Sequence, residues 1–375
     1  MFFGAGNIVF PLMIGQVAGS MSWYAITGLL LTAVGVPFMG LVAMIHYKGD
    51  FKAFFSRMGA TPGFLVTLFI MILIGPVNAI PRCIALSYGT IHLYAPGMSQ
   101  FVFSVIACAI IFLATYKKSR IVDLLGDVLS PLLVVALAVI AIKGLLYHPA
   151  APLSTASALG MFSFGFEKGY NTMDLLGAFF FSGVIISSLK AHFPEEKSSA
   201  VLGGYALKAS VIGATLLGSV YTSFALVAAY YGKELAGMSM ETLLGTTAHL
   251  VLGNAGGLVV SLAVALACLT TAITLAVVFS EFLQKEVFRS GVSYIYCLTL
   301  TLALACVFAN LDFGSIVAMI EPLLIVGYPV LILFTILNWM HKTIGFKPVK
   351  LPLVLATITS FLYYYGGMAQ ALLGT

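Results

Sequence analysis

The chain has 375 residues, of which 61% are hydrophobic and 8% charged, whereas soluble domains carry about a quarter charged residues. A water-soluble core of this length cannot hide so many apolar side chains, so the composition excludes a soluble globular protein and leaves a lipid bilayer as the solvent. The net charge of +5 comes from basic residues in short segments between apolar runs, where they report topology and not nucleic-acid binding.

The apolar runs are continuous, without the period-two alternation of a membrane barrel, and a spanning helix takes about 20 such residues. Eleven runs read as spans: 1–19, 24–45, 63–91, 100–116, 128–147, 160–189, 200–231, 254–283, 292–309, 314–338 and 351–367. The segments between them alternate in charge. Lys48, Lys52 and Arg57 mark one side, followed by Lys117, Lys118 and Arg120, then Lys190 and Lys197, then Lys285 and Arg289, then Lys342, Lys347 and Lys350. Segments 92–99, 148–159 and 310–313 hold neither Lys nor Arg, and 232–253 holds Lys233 alone. Basic residues are enriched in cytoplasmic loops, so the first set, and the start of the chain, are expected inside and the C-terminus outside.

Span 1 opens with Phe2-Phe3-Gly4-Ala5-Gly6-Asn7 and Pro11 follows. Two glycines and an Asn before an apolar run suit an unwound turn that starts a helix, whose bare amides at Gly4, Ala5, Gly6 and Asn7 could hold a carboxylate. Close helix packing is the other use of such glycines. Phe54-Phe55, flanked by Lys52 and Arg57, suggest an amphipathic segment on the cytoplasmic face. Arg82 lies well inside span 3, at a depth similar to Glu321 of span 10. A charge there needs a partner or water, so the two are expected to pair, either as an outer gate or as a static tie. Pro322 and Pro329 are expected to bend span 10.

Span 6 contains Gly165-Phe166-Glu167-Lys168-Gly169-Tyr170-Asn171-Thr172-Met173-Asp174. Thr172 or Asn171 could cap a second half-helix, and Asp174 is an ionisable residue at membrane depth, a functional candidate. Alternatively, Glu167 and Lys168 mark the outer surface with Asp174 one turn deeper. Broken spans 1 and 6 are five apart, which fits two inverted repeats that each open with a discontinuous helix. In span 8, Ala267-Cys268-Leu269-Thr270-Thr271 places adjacent hydroxyls mid-span, where they either bond back to their own helix or offer oxygen ligands to a hard cation. The five cysteines lie in apolar runs without metal spacing or a disulfide framework. The six histidines fall at or near loops, and Tyr363, Tyr364 and Tyr365 suit an interfacial belt. The residues present no nucleophile with its base and no paired carboxylates, so no enzyme is expected.

Four blocks, in order along nearly the whole chain, resemble the branched-chain amino acid:cation symporter family (the BrnQ-type carriers). They are Phe2 to Gly19 with Gly4-Ala5-Gly6-Asn7; Gly75-Pro76 with Pro81-Arg82; Gly169-Tyr170 with Thr172-Met173-Asp174 and Leu176-Gly177-Ala178; and Ala267-Cys268-Leu269 with Thr271-Ala272 and Glu281-Phe282. The resemblance implies an all-α integral membrane protein of the amino acid–polyamine–cation superfamily. It implies a LeuT-like five-plus-five inverted repeat, with the first repeat over 1–147, the second over 160–338 and an extra helix over 351–375. It further implies import of leucine, isoleucine or valine across the bacterial inner membrane, usually with sodium as coupling ion and no other cofactor. In that fold the cation sits between unwound span 1 and span 8, here Ala267, Thr270 and Thr271, with Phe3 able to offer a further carbonyl. The substrate is then expected at Gly4, Ala5, Gly6 and Asn7 and at Gly169, Tyr170, Thr172 and Asp174. Family members carry further apolar residues before the Phe-Phe-Gly-Ala-Gly-Asn block, so the first half of span 1 is expected to be missing here, as is a twelfth span. A proton-coupled or exchanging carrier on the same scaffold, with Asp174 as the proton site, is the rival reading. A membrane subunit of an ATP-driven importer is another.

Overall fold

The computed structural model describes residues 4–116, 121–192 and 199–373. Phe3, Lys117, Lys118, Arg120 and Lys197 lie outside the described residues. Among the described residues every regular element is a helix, as a medium without hydrogen-bonding partners requires of a spanning backbone. Six helical segments are long and apolar enough to cross a bilayer: Ala5–His46, Ala60–His92, Ala158–Lys190, Val201–Tyr230, Leu243–Val287 and Phe313–Ile344. Shorter apolar helices cover Gln100–Tyr116, Leu133–Leu146 and Tyr294–Phe308. The chain divides into two compact units.

The first unit takes the chain up to Gly28, Ile70–Gly165 and Ser219–Ala318. It contains α1 (Ala5–Ala18), α6 (Ala79–His92), α7 (Gln100–Tyr116), α8 (Ile121–Leu146), α12 (Leu243–Phe282) and α13 (Tyr294–Phe308). It also takes the end of α5 (Ala60–Ile74), the start of α9 (Ala158–Tyr170) and the end of α11 (Ser199–Tyr230). The long α12 packs along α6 and α8. It begins at Leu243, earlier than the apolar run suggests, and bends at Gly253, whose φ of 77° is a conformation that glycine adopts without steric cost. Between α5 and α6 the chain leaves the helix at Gly75-Pro76-Val77-Asn78. Pro76 has no amide hydrogen to donate, and Gly75 lies against the Phe279 ring, 2.9 Å from where a Cβ would stand. The sequence carries a visible signal for this interruption, Gly-Pro inside an apolar run.

The second unit takes Leu29–Phe69, Phe166–Gly218 and the chain from Met319 onward. Its helices are α3 (Val36–His46), α4 (Phe51–Phe55), α10 (Asp174–His192), most of α14 (Phe313–Ile344) and α15 (Lys350–Leu373), and α3 packs on α10. Between α2 (Ser22–Leu30) and α3 the helix widens into a π-turn at Leu31–Gly35 without breaking. Pro322 and Pro329 both lie inside α14. Phe54 and Phe55 are not laid on lipid as their flanking charges suggest. Both are fully buried in an aromatic cluster with Tyr47, Phe179, Phe180 and Phe334. Burying a ring contributes about 2 kcal/mol or more, which outweighs interfacial adsorption for a helix of one turn.

Arg57 closes the same end of this unit. Its Nη1 donates to the Leu337 carbonyl and to Asn338 Oδ1, both at 3.1 Å, and its Nη2 to the carbonyls of Phe346 (3.3 Å) and Lys347 (3.2 Å). Tyr47 Oη donates to the same Asn338 oxygen at 2.8 Å. The guanidinium fork therefore ties the end of α14 to the segment that leads into α15. Hydrogen bonds from a charged donor are worth about 1.5–3 kcal/mol each before solvent competition. Arg57→Ala is expected to lower stability by about 2 kcal/mol, read as a lower thermal unfolding midpoint in detergent, with Arg57→Lys recovering only part because one ammonium cannot span four acceptors.

Candidate substrate and cation site

Helix α1 starts at Ala5 with Gly4 extended before it (φ −106°, ψ −176°). The first turn of any helix leaves amides without intrahelical partners, and these were the groups expected to hold a carboxylate. The structure engages two of them. The Gly4 amide donates to Asn7 Oδ1 at 2.9 Å, and the Asn7 amide donates to the Gly4 carbonyl at 3.2 Å. Asn7 is buried, and its Nδ2 donates to the hydroxyl of fully buried Tyr221 on α11. Asn7 thus acts as a cap for its own helix and a tie to span 7, a role that its place three residues after Gly4 made readable but that the sequence reading did not assign. Tyr221 carried no local signal.

Span 8 comes to the same place. A Cβ at Gly4 would stand 3.8 Å from Thr271 Cγ2, so the start of α1 and the middle of α12 are brought together as expected for a shared site. Thr270 Oγ1 donates to the Ala267 carbonyl at 2.8 Å, and Thr271 Oγ1 donates to the same carbonyl at 3.0 Å. Both hydroxyls therefore bond back to their own helix here. That does not spend their acceptor capacity, since a hydroxyl that donates keeps lone pairs. The result is three neutral oxygens, all from one turn of α12, a donor set that suits a hard monovalent cation and not a soft metal.

Span 6 is discontinuous in the place predicted. Helix α9 ends at Tyr170, and α10 starts at Asp174. Asn171-Thr172-Met173 form the break, with Met173 in the left-handed region at φ 59°. The whole stretch from Gly169 to Asp174 is buried. The released groups are satisfied locally: the amides of Asn171, Thr172 and Met173 reach the carbonyls of Lys168, Gly169 and Tyr170, and Thr172 Oγ1 donates to the Gly169 carbonyl at 2.9 Å. Thr172 thus closes α9 and does not cap α10. Asp174, 4% exposed, stands in the first turn of α10, where its charge meets the positive end of the helix dipole. Tyr170 stacks on Tyr328 of α14, ring centroids 4.8 Å apart.

The two expected gate residues have other neighbours. Glu321 Oε1 accepts from Lys168 Nζ at 2.5 Å and from Asn171 Nδ2 at 3.1 Å, so span 10 is tied directly to the broken part of span 6. Arg82, 2% exposed, has its guanidinium carbon 5.4 Å from the Phe10 ring centre and 5.6 Å from that of Phe313, within reach of a cation–π attraction. The alternative reading placed Lys168 at the outer surface, and a pairing between residues 153 positions apart has no local pattern. Glu167, its neighbour, accepts from the exposed Tyr363 hydroxyl at 3.3 Å.

The model of a protein family described as branched-chain amino acid transport protein matches residues 1–371. Relatives agree. The chain is 30% identical to the branched-chain amino acid permease BraB of Bacillus subtilis, over 91% of this chain and 78% of that one. It is 29% identical to the permease BrnQ of the same organism, over 91% and 79%. It is 31% identical to a putative branched-chain amino acid carrier protein of Staphylococcus haemolyticus, over 96% and 85%.

Removing the Asn7 side chain takes away the acceptor for the Gly4 amide and the donor to Tyr221 at once. Asn7→Ala is expected to cost about 2–3 kcal/mol of stability and Tyr221→Phe, which loses one bond, about 1 kcal/mol. Thermal unfolding of the two purified variants and of the double mutant checks this, and the double mutant should fall by less than the sum because the two residues share that bond.

Proposed function

Because the chain belongs to the branched-chain amino acid transport protein family, a family of membrane permeases and not of enzymes, we propose that it is a secondary active carrier that imports leucine, isoleucine or valine together with a cation, sodium in the first place. The observation that carries the mechanism is the buried break of span 6 at Asn171–Met173. Transporters unwind helices at the depth where they bind, since irregular backbone inside a membrane persists only where it is buried in protein or lines a cavity.

In this reading the eleven apolar runs are eleven spans, and spans 1–5 and 6–10 are inverted repeats. Packing within each unit supports it. Span 1 leans on span 7, where a Cβ at Gly15 would collide with the Ala225 carbonyl and Asn7 meets Tyr221. Span 6 leans on span 2, where a Cβ at Gly165 would collide with the Ala25 carbonyl and one at Gly40 would stand 2.7 Å from Leu175. Each broken span thus rests on the second span of the opposite half, the exchange that inverted repeats produce. In the first unit the amides that remain at Gly4–Asn7 are assigned to the substrate carboxylate; in the second unit Gly169, Tyr170, Thr172 and Asp174 are assigned to substrate handling; Arg82 and Glu321 are assigned to gating. Sodium sits on the oxygens of Ala267, Thr270 and Thr271, with Phe3 as a further ligand, and coupling follows because cation and substrate favour the same conformations. The protein resides in the bacterial inner membrane.

The test is leucine uptake by the purified chain in liposomes, with an inward sodium gradient, with a proton gradient, and with neither. Uptake driven by sodium alone is expected; proton-driven uptake would transfer the coupling role to Asp174, whose burial at the head of α10 is the observation that favours this second reading. No uptake under any gradient would remove the carrier reading. Thr271→Val is expected to raise the sodium concentration for half-maximal uptake about tenfold, as the loss of one oxygen ligand worth about 1.4 kcal/mol implies, with leucine KM at saturating sodium little changed.

A further inference from the structure

Span 2 carries an irregularity that the carrier reading does not use. Pro37 lies at the head of α3 in a helix that runs on from α2. In a regular α-helix its ring would press on the Ala33 carbonyl and offer it no hydrogen. The chain widens instead into the π-turn Leu31–Gly35, with the Val36 amide donating to the Leu31 carbonyl. Such single π-turns mark functional positions more often than chance.

The widened turn sets Thr32 against span 6. Thr32 is 1% exposed. Its Oγ1 donates to the Phe166 carbonyl at 2.9 Å, and its own Leu29 carbonyl is farther, at 3.4 Å. A threonine within a helix ordinarily bonds back to its own turn; here the shorter bond crosses to α9. One turn on, Gly169 lacks the side chain that would collide with Thr32 Oγ1 and stand 3.3 Å from the Leu29 carbonyl. One residue after Gly169, the helix ends.

We propose that Thr32 is a positioning residue for substrate handling: the π-turn made by Pro37 aims its hydroxyl at the last turn of α9, and this fixes where span 6 unwinds. The inference rests on the carrier reading, since it assigns the break to substrate binding. Neither Thr32 nor Pro37 touches the substrate in it. They set the position of Tyr170, Thr172 and Asp174, which do.

The experiment measures leucine KM, maximal uptake rate and thermal unfolding midpoint for the full chain and for Thr32→Ser, Thr32→Val and Pro37→Ala. Thr32→Val keeps the shape and deletes the donor. It is expected to raise KM about five- to tenfold, the scale of one lost hydrogen bond, while Thr32→Ser, which keeps the hydroxyl, stays near the unmodified protein. Pro37→Ala lets the helix close into α geometry and turns Thr32 away. It is expected to raise KM like Thr32→Val with an unfolding midpoint equal or higher, because alanine is the better helix former. A role in packing alone predicts the reverse for Pro37→Ala. An unchanged KM in either Thr32→Val or Pro37→Ala overturns the proposal and leaves the carrier reading standing. Absence of leucine uptake by the unmodified chain removes both, and the two failures are separated by that control.

Discussion

A peptide group left unpaired in hydrocarbon costs several kcal/mol, and the second unit is built around a buried place where a long apolar helix gives its pairing up. The chain stops being helical at Asn171 and starts again at Asp174. Everything nearby answers the need this creates. Carbonyls at the end of α9 take the amides of the next three residues, the Thr172 hydroxyl returns to Gly169, and the Thr32 hydroxyl comes in from span 2 to Phe166. A break that is satisfied on the protein side can face a polar ligand without the helix closing over it.

Close approach of backbones is the second condition. Small residues let membrane helices meet without side chains between them, and the contacts at Gly15, Gly40, Gly165 and Gly169 place Cα atoms where any side chain would strike the neighbouring helix. Hydrophobic force adds little between helices that lipid solvates equally well. Shape therefore does the work of composition, and an added methyl at Gly15 or Gly165 would strike the neighbouring backbone itself.

Charge inside the protein follows the same rule. Lys168 and Glu321 sit at 2.5 Å, and Glu321 also accepts from Asn171, so the ion pair fastens α14 to the break. Arg82 is buried between two phenylalanine rings, whose faces attract a cation. An unpaired ion in so poor a dielectric would be expensive. Ionisable residues at membrane depth therefore identify polar structure wherever they occur, although only their neighbours say what kind.

Membership of the all-helical membrane class followed from composition, because no aqueous fold can hide this much apolar surface. The span 6 break was also readable, since Gly169 and the polar run Asn171-Thr172 interrupt an apolar segment, although the same residues also suited an outer surface. So was the meeting of Gly4 with the Thr270-Thr271 turn, through the resemblance. Three things were decided by tertiary structure. Asn7 found Tyr221 more than two hundred residues away, Lys168 found Glu321, and Phe54-Phe55 turned inward to an aromatic cluster in place of the lipid face. Periodicity, turn chemistry and hydropathy are local quantities and can announce where a helix must break or bend. Which partner then satisfies an exposed carbonyl, amide or charge depends on how distant helices cross, and no window along the chain contains that.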